Sequence, residues 1–228
     1  MPWTNLWISL QISLAATLVV FLLGLPLAWA LSRPGWRGQK LLDIVVNLPL
    51  ALPPTVIGYY LLLLIGRTGP IGQLTRSLWG GTLIFSPAAA VLASVVVCMP
   101  LFVQAARTAL ETVPAEVYEA GQIDGADRMA AVRWLYLPLA WPGIWTGVLL
   151  AFARSLGEFG ATLMVAGNIP GKTQTVAVAI YSAVQAGQEG TAHYLALILA
   201  LLAAAAMWAG LRLRTAQPTG RAQMRQEG

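Results

Sequence analysis

The sequence predicts an all-α, polytopic membrane protein of about five transmembrane helices, and three observations predict it. Hydrophobic residues make up 57% of the 228 residues and charged residues only 10%, where a soluble domain carries about 25% charged residues. Mean hydropathy is +0.69. Apolar runs long enough to cross about 30 Å of hydrocarbon, at about 1.5 Å per helical residue, recur along the chain. The same composition excludes other classes. The net charge of +5 comes from basic residues that flank apolar segments and form no basic face, so nucleic acid is not an expected partner. One cysteine, Cys98, and one histidine, His193, support neither a disulfide framework nor a metal site.

The expected spans lie near 7–31, 43–66, 86–107, 138–159 and 192–212. No basic region precedes the first apolar run, so it reads as a span and not as a cleaved leader. Pro26 interrupts it, and a proline inside a helix favours a kink one turn back. The second run contains Asn47-Leu-Pro-Leu-Ala-Leu-Pro-Pro54; prolines at 49, 53 and 54 make one straight helix there improbable. Between the fourth and fifth runs, 160–191 is mixed in character, with Thr173–Ala186 suited to a short re-entrant or surface helix.

Orientation follows from lysine and arginine. With the N-terminus outside, Arg33, Arg37, Lys40, Arg107, Arg128, Arg133, Arg212, Arg214, Arg221 and Arg225 fall inside, and Arg67, Arg76 and Lys172 fall outside. Ten against three satisfies the positive-inside rule. Tryptophans mark the expected interfaces: Trp3, Trp7 and Trp79 outside, Trp36, Trp134 and Trp141 inside, as an aromatic belt requires. Residues 1–6 are then a short extracytoplasmic N-terminus, 7–212 the membrane domain, and 213–228 a polar cytoplasmic tail expected to be poorly ordered.

A polar segment separates the third and fourth runs. Pro114 suits a helix start, Asp124-Gly125 is a turn signal because glycine takes a positive φ cheaply, and Asp127 suits a second helix N-terminus. Pro138 fits the start of the next long helix. The segment reads Glu119-Ala120-Gly121, three residues, Gly125, nine residues, then Leu135-Tyr136-Leu137-Pro138. This resembles the cytoplasmic EAA loop of ABC importer permeases, with Gly121 and Leu135 departing from the commoner alanine and isoleucine. The resemblance implies that 111–137 is a coupling helix-turn-helix gripped by a separate ATPase. Charge counting places this loop in the cytoplasm independently.

Arg154 and Glu158 are four residues apart, so they share a helix face and can pair. Ionisable groups at membrane depth usually face the bundle interior or a water-filled path. Two readings stand: Arg154 lines an anion route or the pair gates it, or else the pair locks helices together or Arg154 snorkels to the interface. Gly157, Gly160 and Gly167 permit close approach or bending. Asn47, Thr55, Tyr59 and Tyr60 offer hydrogen bonds either to a polar substrate or to carbonyls released by the prolines. Ala166-Gly-Asn-Ile-Pro-Gly-Lys-Thr173 satisfies a loose phosphate-loop pattern, but it follows a membrane helix and carries Pro170, so a Gly/Pro turn is the better reading.

Beyond the loop, nearly the whole chain resembles the molybdate permease branch of type I ABC importers, a MetI-like permease core. The phrases that carry the likeness are Asp43 with Asn47-Leu-Pro-Leu-Ala-Leu-Pro-Pro-Thr-Val-Ile-Gly-Tyr59, Arg154-Ser-Leu-Gly-Glu-Phe-Gly-Ala-Thr162, and Gly167-Asn-Ile-Pro-Gly171 before Thr173-Gln-Thr175. The Gly-Glu-Phe-Gly element is similar in sulfate and thiosulfate permeases, which are the alternative; a secondary transporter is a further one, but paired repeats are not visible. The resemblance implies a homodimer, two cytoplasmic ATPases that bind ATP and Mg, an extracytoplasmic oxyanion-binding protein, and location in the bacterial inner membrane. It implies no cofactor, metal or catalytic residue in this chain. Tungstate is a second cargo the resemblance allows.

Overall fold

A computed structural model describes residues 2–33, 35–114, 116 and 132–215. Every regular element among them is helical: α1 (Pro2–Ser32), α2 (Gln39–Ala51), α3 (Pro54–Ile65), α4 (Pro70–Trp79), α5 (Pro87–Glu111), a π-helical turn (Val132–Tyr136), α6 (Leu137–Leu156), α7 (Gly160–Ala166), α8 (Val176–Gln185) and α9 (Glu189–Thr215). Four helical stretches are long and apolar enough to span a membrane: Trp3–Ser32, Pro87–Glu111, Val132–Leu156 and Glu189–Gly210. Hydrocarbon offers no hydrogen bonds, so a spanning segment satisfies its backbone internally, and an apolar run of this length has no other soluble form.

The second expected span is not one helix. α2 and α3 meet at a bend of 117°. Leu52 is extended, with φ −97° and ψ 141°, as the residue before a proline prefers. Pro54 then opens α3, where its missing N–H costs nothing. The run over 43–66 is therefore a broken element, and proline sterics break it. The fourth run is also shorter than 138–159: α6 stops at Leu156, and α7 starts afresh at Gly160. Within the mixed segment, α8 falls inside Thr173–Ala186. The amphipathic helix α4, between the broken span and α5, has no counterpart among the expected elements.

α5 is the centre. Ser86 caps it by accepting the Ala89 N–H at 3.3 Å, and Pro87 follows at its first turn. Its Phe102, Val103, Ala106 and Leu110 are fully buried against α1 and α6, with Val20, Ala28, Leu31, Ile144 and Ala151 completing the cluster. Phe21 stacks edge-on against Phe102 at 6.0 Å and Trp141 at 6.3 Å. A second cluster joins the N-terminal half of α1 to α3, α5 and α7 through Ile8, Ile57, Ile65, Ala93 and Val165. The Tyr136 hydroxyl donates to the Leu110 carbonyl at 2.6 Å, tying the start of α6 to the end of α5. The Ser9 hydroxyl accepts the Val176 N–H at 2.8 Å and docks α8 on α1.

Candidate functional site

The break between α6 and α7 gathers the charged groups. Gly157 ends α6, and Glu158 follows in the gap with 2% of its surface exposed. Arg154 and Glu158 do pair, Nη1 to Oε2 at 2.8 Å, but not along one continuous helix face. The carboxylate lies beyond the helix end. Its other oxygen, Oε1, accepts the Ala161 N–H at 3.0 Å, so Glu158 caps the first turn of α7 while holding Arg154. At the far end of α7, the Val165 carbonyl accepts the Phe85 N–H at 2.9 Å. Seven residues make few internal helical bonds, so these outside partners replace what α7 cannot supply itself. The pair is asymmetric: the Arg154 side chain is 33% exposed and that of Glu158 1%. The carboxylate is an anchor, and the guanidinium faces outward from it.

α7 lies directly on α3. A Cβ on Gly58 would come within 2.8 Å of the Ala161 Cα, and one on Gly160 within 3.2 Å of Thr55 Cγ2. Backbone approach requires glycine at 58, and at 160 a Cβ would be a tight fit against Thr55 and Pro54. Thr55 is thus exposed at the rim of the break, beside Gly160. Asn47 belongs to a different cluster. Its amide donates to the Asp43 carbonyl at 2.9 Å and to Asp43 Oδ1 at 2.7 Å, and its oxygen accepts from Gln104 at 2.8 Å. Arg107 bridges Asp43 at 3.1 Å and Glu111 at 2.8 Å. This chain of five polar groups clasps α2 to α5, and no local sequence pattern encodes it because Asp43 and Arg107 are 64 residues apart. Asn5, Ser9, Ser13 and Thr17, a four-residue spacing visible in the sequence, form a buried polar stripe on α1.

Of the expected coupling loop, Glu119, Ala120, Gly121 and Gly125 lie outside the described residues. Leu135 belongs to the π-helical turn, and Leu137 and Pro138 open α6. The phosphate-loop look-alike is a closed turn. Gly167 and Gly171 have φ of +71° and +75°, and the fully buried Thr173 hydroxyl donates to the Ala166 carbonyl at 2.9 Å and accepts the Ile169 N–H at 3.2 Å. Among the described residues, no three His, Cys, Asp or Glu side chains converge as a metal site would need.

Comparison with known proteins agrees with this architecture. The inner membrane component of binding-protein-dependent transport systems matches residues 12–214. The chain is 44% identical over 201 residues to the molybdenum transport system permease ModB of Escherichia coli K12, covering 87% of this chain and 88% of that one. It is 43% identical to the putative molybdenum transport permease YvgM of Bacillus subtilis, covering 82% of each. Among solved structures, the inward-facing MetNI methionine ABC transporter superposes with a TM-score of 0.74 at 21% identity, covering 94% of this chain and 95% of that one. An alginate ABC importer does so with 0.74 at 15% identity, covering 94% and 79%. These last two show the fold. With its helical core, its broken second element and these matches over nearly its full length, the chain belongs to the family of binding-protein-dependent transport system inner membrane components.

Proposed function

We propose that this chain is the permease subunit of an ATP-driven importer that carries molybdate, and chemically similar tungstate, across the cytoplasmic membrane. The observation that carries the substrate is the 44% identity, over 87% of the chain, to a molybdenum transport permease. Two copies form the path, two cytoplasmic ATPases grip the loops around Glu119, and a binding protein delivers the oxyanion from outside. ATP and Mg bind to the ATPases, so this chain needs no catalytic residue of its own. Its N-terminus lies outside and its C-terminus in the cytoplasm.

Alternating access needs two packings of similar energy and rigid levers between them. Gly125 supplies the tight turn of the lever, Glu119 its polar brace, and Leu135, Leu137 and Pro138 carry its motion into α6. The break around Glu158 sets the charge along the path. A bare arginine would hold a dianion too tightly, whereas one already paired offers a weaker, reversible attraction, and passage requires weak binding. Arg154 therefore meets the oxyanion while Glu158 tempers it, and Thr55 adds a hydroxyl at the rim. Asn47, fully engaged with Asp43 and Gln104, braces α2 against α5.

Reconstitution tests this reading. Proteoliposomes holding this chain, its ATPase and its binding protein should take up labelled molybdate only with ATP, suppressed by excess molybdate or tungstate and not by sulfate. Uptake favouring sulfate overturns the substrate, and uptake without ATP overturns the mechanism.

A further inference from the structure

Gly69-Pro70 opens α4, and Gly80 closes it with a φ of +69° and an N–H donated to the Arg76 carbonyl at 3.0 Å. The surface of this helix divides into three sectors. Gly72 and Thr75 are buried, and a Cβ on Gly72 would overlap the carbonyl oxygens of Ile65 and Gly66 at the end of α3. Ile71, Leu74 and Leu78, at three- and four-residue steps, are 41%, 56% and 63% exposed. Gln73, Arg76 and Ser77 make an exposed polar sector on the other side. Neighbours fix the level of α4 in the bundle. Ile57, Leu61 and Ile65 of α3 share one buried cluster with Ile8 and Ile12 of α1 and with Ala89 and Ala90 of α5. Those residues lie in the opening turns of two apolar helices long enough to span a membrane. Because α4 follows α3 and leads to Pro87, it lies where those spans begin, at a membrane–water interface.

A helix with an apolar face and a basic polar face is the form that lies in the plane of a membrane interface. From Gly66 to Ser86 the chain holds Arg67 and Arg76 and no Asp or Glu. Both arginines are exposed, and neither is ion-paired among the described residues. Three apolar side chains bury far less than the roughly 800 Å² per partner that a stable protein interface takes, so a lipid surface is the occupant this face fits. We infer that α4 is an interfacial anchor, with Ile71, Leu74 and Leu78 among acyl chains and Arg67 and Arg76 at the phosphates of anionic lipids. The anchor is stiffly joined to the bundle. A Cβ on Gly69 would overlap the Leu63 and Leu64 carbonyls, so α4 cannot pivot freely on α3, and α3 carries Gly58 against the Ala161 Cα. A lipid-held α4 therefore fixes the depth of the α3 wall beside the Glu158 break, a bracing role that rests on the transport reading above.

The test uses the assembly of permease and ATPase in nanodiscs of equal phosphatidylglycerol and phosphatidylcholine. Single spin labels are attached through Leu74→Cys, Leu78→Cys, Gln73→Cys or Ser77→Cys; Cys98 is buried, and the unsubstituted chain is the control. Labels at 74 and 78 should be relaxed by oxygen, which concentrates in the bilayer, and shielded from a water-soluble nickel chelate. Labels at 73 and 77 should show the reverse. Nickel access at all four positions would put α4 in water, and shielding of 74 and 78 from both reagents would put protein over them; either result overturns the inference. Lipid charge is read from a bimane label at Leu74→Cys, quenched by brominated phosphatidylglycerol or brominated phosphatidylcholine. Each arginine at an anionic surface contributes about a fivefold preference, so R67Q/R76Q should lower the preference for phosphatidylglycerol about 25-fold. No preference with both arginines present, or an unchanged one in the double variant, overturns the anionic assignment. Spin labels at Leu63→Cys and Leu74→Cys together should keep one separation with and without trapped ATP; a shift would overturn the bracing role. These readings need no transport, so their failure leaves the molybdate reading untouched, and loss of uptake alone would leave the anchor standing.

Discussion

Replacing Glu158 by alanine removes two interactions at once, and their sizes can be worked from the geometry. The carboxylate is 2% exposed and pairs with Arg154 at 2.8 Å. Breaking a buried pair costs about 3–5 kcal/mol because the remaining charge is stranded. Here the remaining charge is Arg154, whose side chain is 33% exposed and can reach water, so about 2 kcal/mol is the better figure. Loss of the acceptor for the Ala161 N–H adds about 1 kcal/mol, the usual value of an N-terminal cap. The total, about 3 kcal/mol, corresponds to roughly 6–12 °C in melting temperature for a chain of this size. Glu158→Gln separates the two contributions: its amide oxygen still accepts from Ala161, so it should lose only about 2 kcal/mol. The assay is thermal unfolding of the purified assembly in detergent, with ATP-driven uptake measured in parallel. In Glu158→Gln the freed guanidinium should hold the dianion longer, lowering both KM and kcat for uptake. A Glu158→Ala melting temperature within the range of a surface substitution, about 0.5 kcal/mol, would refute the account of α7 as a helix held by outside partners. Equal losses in the two variants would refute the separate cap.

Other outcomes follow from the same contacts. Arg154→Gln strands the buried Glu158 carboxylate, a loss of about 3–5 kcal/mol, and should slow molybdate uptake per folded assembly at least tenfold; wild-type uptake would leave the pair a purely structural lock. Gly125→Val should abolish ATP-driven uptake while membrane insertion, followed by fractionation, stays normal. Gly58→Leu places a side chain where a Cβ already meets the Ala161 Cα at 2.8 Å, so α3 and α7 must part, and reduced assembly yield on size-exclusion chromatography should report it. Arg107→Gln removes the bridge from Asp43 to Glu111; both pairs are partly exposed, so the loss should be about 1 kcal/mol, read as a shift of a few degrees in melting temperature.

Much of this protein is written in local chemistry. Apolar runs must be helices in hydrocarbon, whatever surrounds them, so the all-helical class and most of the spans follow from composition alone. Proline acts on its immediate neighbours, which is why the break at Leu52 was foreseeable from Pro53 and Pro54. The i,i+4 spacing of Arg154 and Glu158 likewise made their pairing an expectation. What the spacing could not say is that α6 ends between them: Gly157 permits that ending, and burial of Glu158 against Ala161 enforces it. The clasp of Asp43, Asn47, Gln104, Arg107 and Glu111 joins residues from two distant segments, and no local pattern encodes which face of α2 meets α5. A groove beside Trp29 is lined jointly by α1 and by Val132 and Leu137, which lie far from it in sequence. Local sterics and solvation decide which residues are helical and where helices stop; which of them touch depends on packing the whole set at once, and that is decided only in three dimensions.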